Sequence, residues 1–223
     1  MGNIYGLSRR VMKNLFAIEG KVALVTGGSR GIGEMIAAGF LANGAKVYIS
    51  ARKAEVCDAT AQRLQDEFGG TCISVPADLS NLDGITALSN AISQQDSLDI
   101  LVNNAGASWG EPIDEYSEKG WDKVMDTNVK GVFFLTQKLL PLLRKSGTAE
   151  DPSRVINIGS IDGIKTGLFD AFSYGPSKAA LHHLTRVLAA SLVRENIIVN
   201  AIAPGPFPTW MLSTGVGGGG DID

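Results

Sequence analysis

The stretch that most restricts the fold is Val22 to Gly33, Val-Ala-Leu-Val-Thr-Gly-Gly-Ser-Arg-Gly-Ile-Gly. Val22–Thr26 is an apolar run of strand length that ends on glycines, as a strand buried in a parallel sheet does. A helical pattern follows and continues to Asn43. Strand, glycine turn and helix in that order seat a pyrophosphate on the backbone N–H groups of a helix N-terminus. The spacing is Thr-Gly-x-x-x-Gly-x-Gly, not the general G-x-G-x-x-G, because the third glycine position counted from Gly31 and Gly33 holds Ile36. A plain glycine-rich turn is the competing reading. Its place at the opening of the first β-α-β unit favours nucleotide binding.

The rest of the chain keeps the same alternation. Strands are predicted at 46–51, 71–76, 98–102, 154–159 and 197–203, and helices at 54–68, 81–94, 121–145 and 173–194. Strands alternating with helices imply a doubly wound parallel sheet. One domain, 20–209, accounts for them, with an N-terminal arm at 1–19 and a glycine-rich tail at 210–223. With 44% hydrophobic and 19% charged residues, the body is not a disordered chain. A net charge of −3 gives no general attraction to nucleic acid or anionic membrane. No apolar run approaches the length of a membrane span. No Cys/His cluster has metal-ligand spacing, so no metal is expected. Cys57 and Cys72, on different elements, read as reduced thiols.

The end of the second strand bears on cofactor choice. An acid there binds a ribose 2′-hydroxyl and favours NAD. Here the residues are Ser50, Ala51, Arg52 and Lys53. Arg52 and Arg30, which sits in the glycine turn, form a candidate clamp for a 2′-phosphate and so for NADP(H). Asp78, followed by Leu79, stands at the end of the third strand, where a carboxylate meets an adenine amino group; a place in the helix N-cap region before Asn81 is the other reading. Asn103-Asn104-Ala105-Gly106 ends the fourth strand with small residues that let the backbone approach a cofactor. Asn128 interrupts the apolar stripe Val124, Val132, Leu135 and Leu139; a buried amide must find partners, and one use is to hold a water that passes protons to Lys178.

Reaction chemistry concentrates between Ser160 and Lys178. Tyr174 opens a helix and Lys178 lies four residues on, one turn up on the same face. Pro176 between them is tolerated only in the first turn. A free tyrosine has a pKa near ~10, and bringing it to ~7 takes roughly 4 kcal/mol of preference for the phenolate. A lysine cation and the positive end of a helix both act in that direction. Ser160 is placed to steady a carbonyl oxygen beside the phenol. Alone, Tyr-x-x-x-Lys is a weak signal, and an ordinary surface helix with a half-buried tyrosine is the favoured reading.

Together, Thr26-Gly27, Gly31, Gly33, Asp78, Asn103-Asn104-Ala105-Gly106, Asn128, Ser160, Tyr174, Lys178 and Pro204-Gly205 resemble the short-chain dehydrogenase/reductase superfamily, in family order over roughly Gly20 to Thr209. The wording of 107–110, 154–160 and 174–182 looks like the 3-oxoacyl-(acyl carrier protein) reductase branch, especially the bacterial β-ketoacyl reductases tied to rhamnolipid synthesis. The resemblance implies a Rossmann-like sheet of strand order 3-2-1-4-5-6, with the family's last strand absent. It implies NADPH-dependent reduction of a ketone, a 3-oxoacyl thioester or similar carbonyl, to a secondary alcohol. Tyr174 is then the general acid, Ser160 orients the substrate oxygen, Lys178 binds the nicotinamide ribose and lowers the tyrosine pKa, and Asn128 anchors a proton relay. Thr26, Gly27, Ser29, Arg30, Gly31, Ile32, Gly33, Arg52, Asp78, Leu79, Asn104, Ala105, Gly106, Pro204, Gly205 and Thr209 are expected around the dinucleotide, with Tyr174 and Lys178 touching it too. Trp109 is read either as cleft lining or as packing, and Asp162 stays open. His182 and His183 are read as surface or subunit-contact residues.

Family members usually run some tens of residues further, and Gly215–Asp223 is too glycine-rich to build the segment they add. The sixth strand is therefore expected at an open edge. A second function class follows: a shortened, catalytically weak cofactor-binding chain acting through association with other subunits. The expected partners are a small carbonyl or acyl-thioester substrate and copies of the chain in a homodimer or homotetramer, with no nucleic acid. The expected location is cytoplasmic; the basic segment before Glu19 offers a mitochondrial presequence as the alternative.

Overall fold

The computed structural model describes residues 16–166 and 170–207. Six parallel strands form one sheet: β1 (Val22–Thr26), β2 (Lys46–Ser50), β3 (Cys72–Ser74), β4 (Ile100–Asn103), β5 (Ser153–Ile158) and β6 (Ile197–Ile202). Their order across the sheet is β3-β2-β1-β4-β5-β6, the order expected. β1 pairs Ala23 with Val47 on one side and with Ile100 on the other, and with β4 it forms the middle of the sheet.

Alternation along the strands divides the core between the two faces of the sheet. Leu24, Leu101, Val155 and Val199 face one cluster. It is completed by α3 (Leu82–Ile92), α5 (Val132–Ser146) and α6 (Tyr174–Leu192), which contribute Leu88, Leu139 and Leu192 among others. Ala23, Val25, Val47 and Ile49 face the second, under α1 (Gly31–Ala42) and α2 (Ala54–Phe68), which contribute Ala37, Leu41, Ala61 and Leu64. Asn81 caps α3 by accepting the Gly84 N–H at 2.8 Å. β6 lies at the sheet edge, where Ile198 and Ile202 on the second face are 40% and 52% exposed among the described residues.

The helix expected at 121–145 is longer and interrupted. α4 (Glu118–Met125), capped by Ser117, runs into a π-helical turn over Asp126–Gly131, which runs into α5. The helix expected at 173–194 ends at Leu192. A 3₁₀ turn follows, and Asn196 takes a left-handed conformation at φ 57° before β6. Both cysteines are buried free thiols.

Candidate active site

The carboxyl ends of the strands open on a cavity of about 490 Å³. It lies where the chain leaves β1 for one face of the sheet and β4 for the other, the switch point at which such sheets bind ligands. The cavity wall brings together Gly27, Ser29, Arg30, Gly31, Ile32, Arg52, Asp78, Leu79, Asn104, Ala105, Gly106, Ser160, Tyr174, Lys178, Pro204 and Gly205. Thr26, Gly33 and Asn128 stand behind that wall. Thr209 lies outside the described residues.

The glycine turn is braced from behind. Thr26 Oγ1 donates to the Val102 carbonyl at 3.2 Å and accepts the N–H groups of Asn104 and Ala105, each at 3.0 Å. The Asn104 amide donates to the carbonyls of Thr26 (3.0 Å) and Gly27 (3.1 Å). Asn104 thus holds the turn open, a use that the small-residue reading of this segment missed. Gly33 is required by close approach: a Cβ there would stand 2.2 Å from the Gly27 carbonyl oxygen.

Two features of this end fit a phosphorylated ligand. Arg30 occupies the N-cap of α1 without a side-chain cap, so the first-turn N–H groups face the cavity uncapped by that residue. Arg30 and Arg52 both line the cavity, and burial, then repulsion from Arg52, lowers the Arg30 pKa. Ser50 adds a third, unforeseen from sequence: its Oγ is buried without a hydrogen-bond partner among the described residues, on the cavity wall beside Arg52. Asp78 keeps one carboxylate oxygen on Ser80, accepting its N–H at 2.9 Å and its hydroxyl at 2.8 Å.

At the other end, Tyr174 is the first residue of α6, and Pro176 falls in the first turn, as its missing N–H requires. Lys178 is buried. Its ammonium donates to the Ile158 carbonyl at 2.8 Å and lies 5.6 Å from the centre of the Tyr174 ring. Burial lowers its pKa to about 8. The expected depression of the tyrosine by Lys178 is not found. Burial raises the Tyr174 pKa; the Ser160 hydroxyl acts in the opposite sense and the Asp162 charge adds to the rise. Depth, which sequence spacing does not report, sets the sign.

Asn128, fully buried in the π turn, is a strut. Its Oδ1 accepts the Ala107 N–H at 2.8 Å, and its amide donates to the Ala107 carbonyl and to Ser177 Oγ, both at 2.9 Å. Both amide hydrogens are used in joining the loop after β4 to α6. Beneath lies a polar chain: Asn103 donates to Thr136 (3.2 Å) and Asn157 (2.9 Å), and Asn157 donates to Thr185 (2.9 Å). Trp109 is packing: it sits against Gly120, with the Lys123 ammonium 5.4 Å from its ring, and takes no part in the cavity wall. Asp162 does line the cavity. His183 is exposed, and His182 is half-buried with its ring against Ser160.

Comparison with known proteins agrees with this geometry. The short chain dehydrogenase family matches residues 21–215. A rhamnolipids biosynthesis 3-oxoacyl-[acyl-carrier-protein] reductase of Pseudomonas aeruginosa is 55% identical over 201 residues, 90% of this chain and 78% of that protein. A 2-dehydro-3-deoxy-D-gluconate 5-dehydrogenase of Dickeya dadantii is 38% identical over 200 residues, 88% of this chain and 75% of its own length. The NADP active-site complex of Pseudomonas aeruginosa RhlG superposes with a TM-score of 0.85 at 55% identity, covering 89% of this chain and 77% of that one.

Proposed function

We propose, from the premise that this chain belongs to the short-chain dehydrogenase family, that it is an NADPH-dependent reductase converting the ketone of a 3-oxoacyl thioester to a secondary alcohol. The observation that carries the reading is convergence. Ser160, Tyr174 and Lys178 meet at one end of a cavity whose other end holds the glycine turn and the Arg30–Arg52 pair. Its likeness to a 3-oxoacyl reductase and to an NADP complex supports the substrate class and the cofactor.

The first turn of α1 receives the pyrophosphate, and Arg30 and Arg52 receive the 2′-phosphate, each contact being worth about 1 to 4 kcal/mol depending on local dielectric. Ser50 Oγ offers a further hydrogen bond at that end. Gly106, Pro204 and Gly205 bound the nicotinamide side, and Asp78 faces the adenine. The bound nicotinamide supplies the hydride. Tyr174 gives its phenolic proton to the ketone oxygen; its raised pKa keeps that proton in place at neutral pH. Ser160 Oγ donates a second hydrogen bond to the same oxygen. Lys178, on the same cavity wall, holds the ribose of the nicotinamide. Assembly into a homodimer or homotetramer belongs to the same reading: Trp121 on α4 and Val187 on α6 present exposed apolar surface. So does a cytoplasmic location. Among the described residues no helix is long and apolar enough to cross a membrane, and the mitochondrial alternative rests on residues before 16, outside them.

The test is steady-state NADPH oxidation with acetoacetyl and longer 3-oxoacyl thioesters. Turnover with these substrates is expected. Tight NADPH binding without turnover on any ketone would instead leave a cofactor-binding chain that acts by association.

A further inference from the structure

His182 follows Lys178 by four residues on α6, one turn further along the same face. Its imidazole tucks under the segment that carries Ser160. The Ser160 N–H donates to His182 Nε2 at 3.4 Å. Room for the ring exists because the chain has glycine on both sides of Ser160. A Cβ at Gly159 would stand 2.0 Å from Nε2, and one at Gly163 would stand 2.9 Å from Cε1. No other residue type at 159 leaves the ring where it is.

We propose that His182 is a positioning residue for Ser160: its neutral imidazole accepts the Ser160 N–H and fixes where the serine hydroxyl points. The proposal rests on the role given to Ser160 and Tyr174 above. Ser160 then has two handles. Its hydroxyl accepts the Asp162 N–H at 3.2 Å, which sets the side chain, and its backbone N–H is held from α6. The helix that holds it also carries Tyr174 and Lys178, so one rigid element sets the serine against the phenol. Nε2 can accept only when unprotonated, which puts the neutral ring's proton on Nδ1. Burial, then the charges of Lys178 and Arg186, hold the His182 pKa below its usual value, with the Gly163 carbonyl acting the other way. The accepting form is therefore the one present at neutral pH. Without the imidazole, the Ser160 N–H loses its partner and the turn over Ile161–Gly163 loses the ring it packs against.

A double-mutant cycle tests this. His182→Leu removes the acceptor at similar volume, His182→Gln restores an acceptor of comparable reach, and both are combined with Ser160→Ala. The readouts are kcat and KM for a 3-oxoacyl thioester and the dissociation constant of NADPH. His182→Leu should lower kcat about tenfold with NADPH affinity unchanged, His182→Gln should recover most of the loss, and His182→Leu should cost nothing further once Ser160 is alanine. Equal losses in both backgrounds, or no loss while Ser160→Ala is impaired, overturn the positioning role. If Ser160→Ala turns over normally, the role of Ser160 fails first and this inference falls with it. Should the leucine variant not fold, His182→Asn, polar but too short to reach, takes its place with the same expectations.

Discussion

Lys178 holds a charge where charge is costly. Its ammonium is buried, and its pKa falls from the ordinary 10.5 to about 8 through burial, corresponding to on the order of 3 kcal/mol. The sign follows from proton binding. Between about 8 and 10.5 the unfolded chain holds a proton that the folded chain has released, so this group makes stability rise with pH across that window. Below the window the folded protein carries the full penalty. Lys178→Met, at the cost of the Ile158 contact, should therefore raise the melting temperature by about 2–8 °C near neutral pH while abolishing turnover. Its advantage over the wild type should shrink as pH rises from about 8 towards 10.5. Thermal denaturation of both proteins across pH measures this; a lower melting temperature for the variant at every pH would contradict it. Ser160, Tyr174 and Lys178 were legible from type and spacing. Ser50 and His182 were not, because a single polar residue has no periodicity to betray burial. The direction of the Tyr174 shift was misread for the same reason.

At the scale of elements, the π turn at Asp126–Gly131 is the informative departure from regular structure. Such turns recur at functional sites, and this one carries Asn128 into contact with Ala107 and Ser177. Asn128→Ala would leave the Ala107 N–H and carbonyl and the Ser177 hydroxyl short of partners in a buried site, costing at least about 2 kcal/mol. In a chain of this size that lowers the melting temperature by roughly 4–8 °C. Asn128→Asp, which keeps the acceptor but not the donor, should fall between. An alanine variant that melts with the wild type would remove the strut role. The sequence held a trace of the turn: Val124, Asn128 and Val132 are spaced by two successive steps of four, which on a regular α-helix drift by about 80°. One extra residue is otherwise lost in the scatter of a helical pattern. The strands were easier to read, because apolar runs ending on small or polar residues mark the carboxyl edge of the sheet directly; β3, expected over 71–76 and observed over Cys72–Ser74, was the most overextended.

Across the whole molecule, chemistry and anchoring occupy opposite ends of the sheet. At the amino ends, the Lys21 ammonium bridges Asp99 at 3.4 Å and Asp151 at 2.6 Å, and Asp99 also accepts the Val22 N–H and the Ser146 hydroxyl. These contacts tie the starts of β1 and β4 to the segment before β5, away from the cavity. The alternation of strands and helices made a doubly wound parallel sheet legible, and the family resemblance implied the order of its strands. The depth of the cavity and the polar chain beneath it were not, since both depend on contacts between residues far apart in sequence, such as Asn103 with Asn157. The central claim joins the two ends of that cavity: NADPH held from the glycine turn, and a proton delivered by Tyr174. Its most direct test is single-turnover reduction of a 3-oxoacyl thioester by wild type and Tyr174→Phe, each preloaded with NADPH. The expected result is equal NADPH affinity with hydride transfer slowed about 10²–10⁴-fold in the variant; equal rates in the two proteins would contradict it.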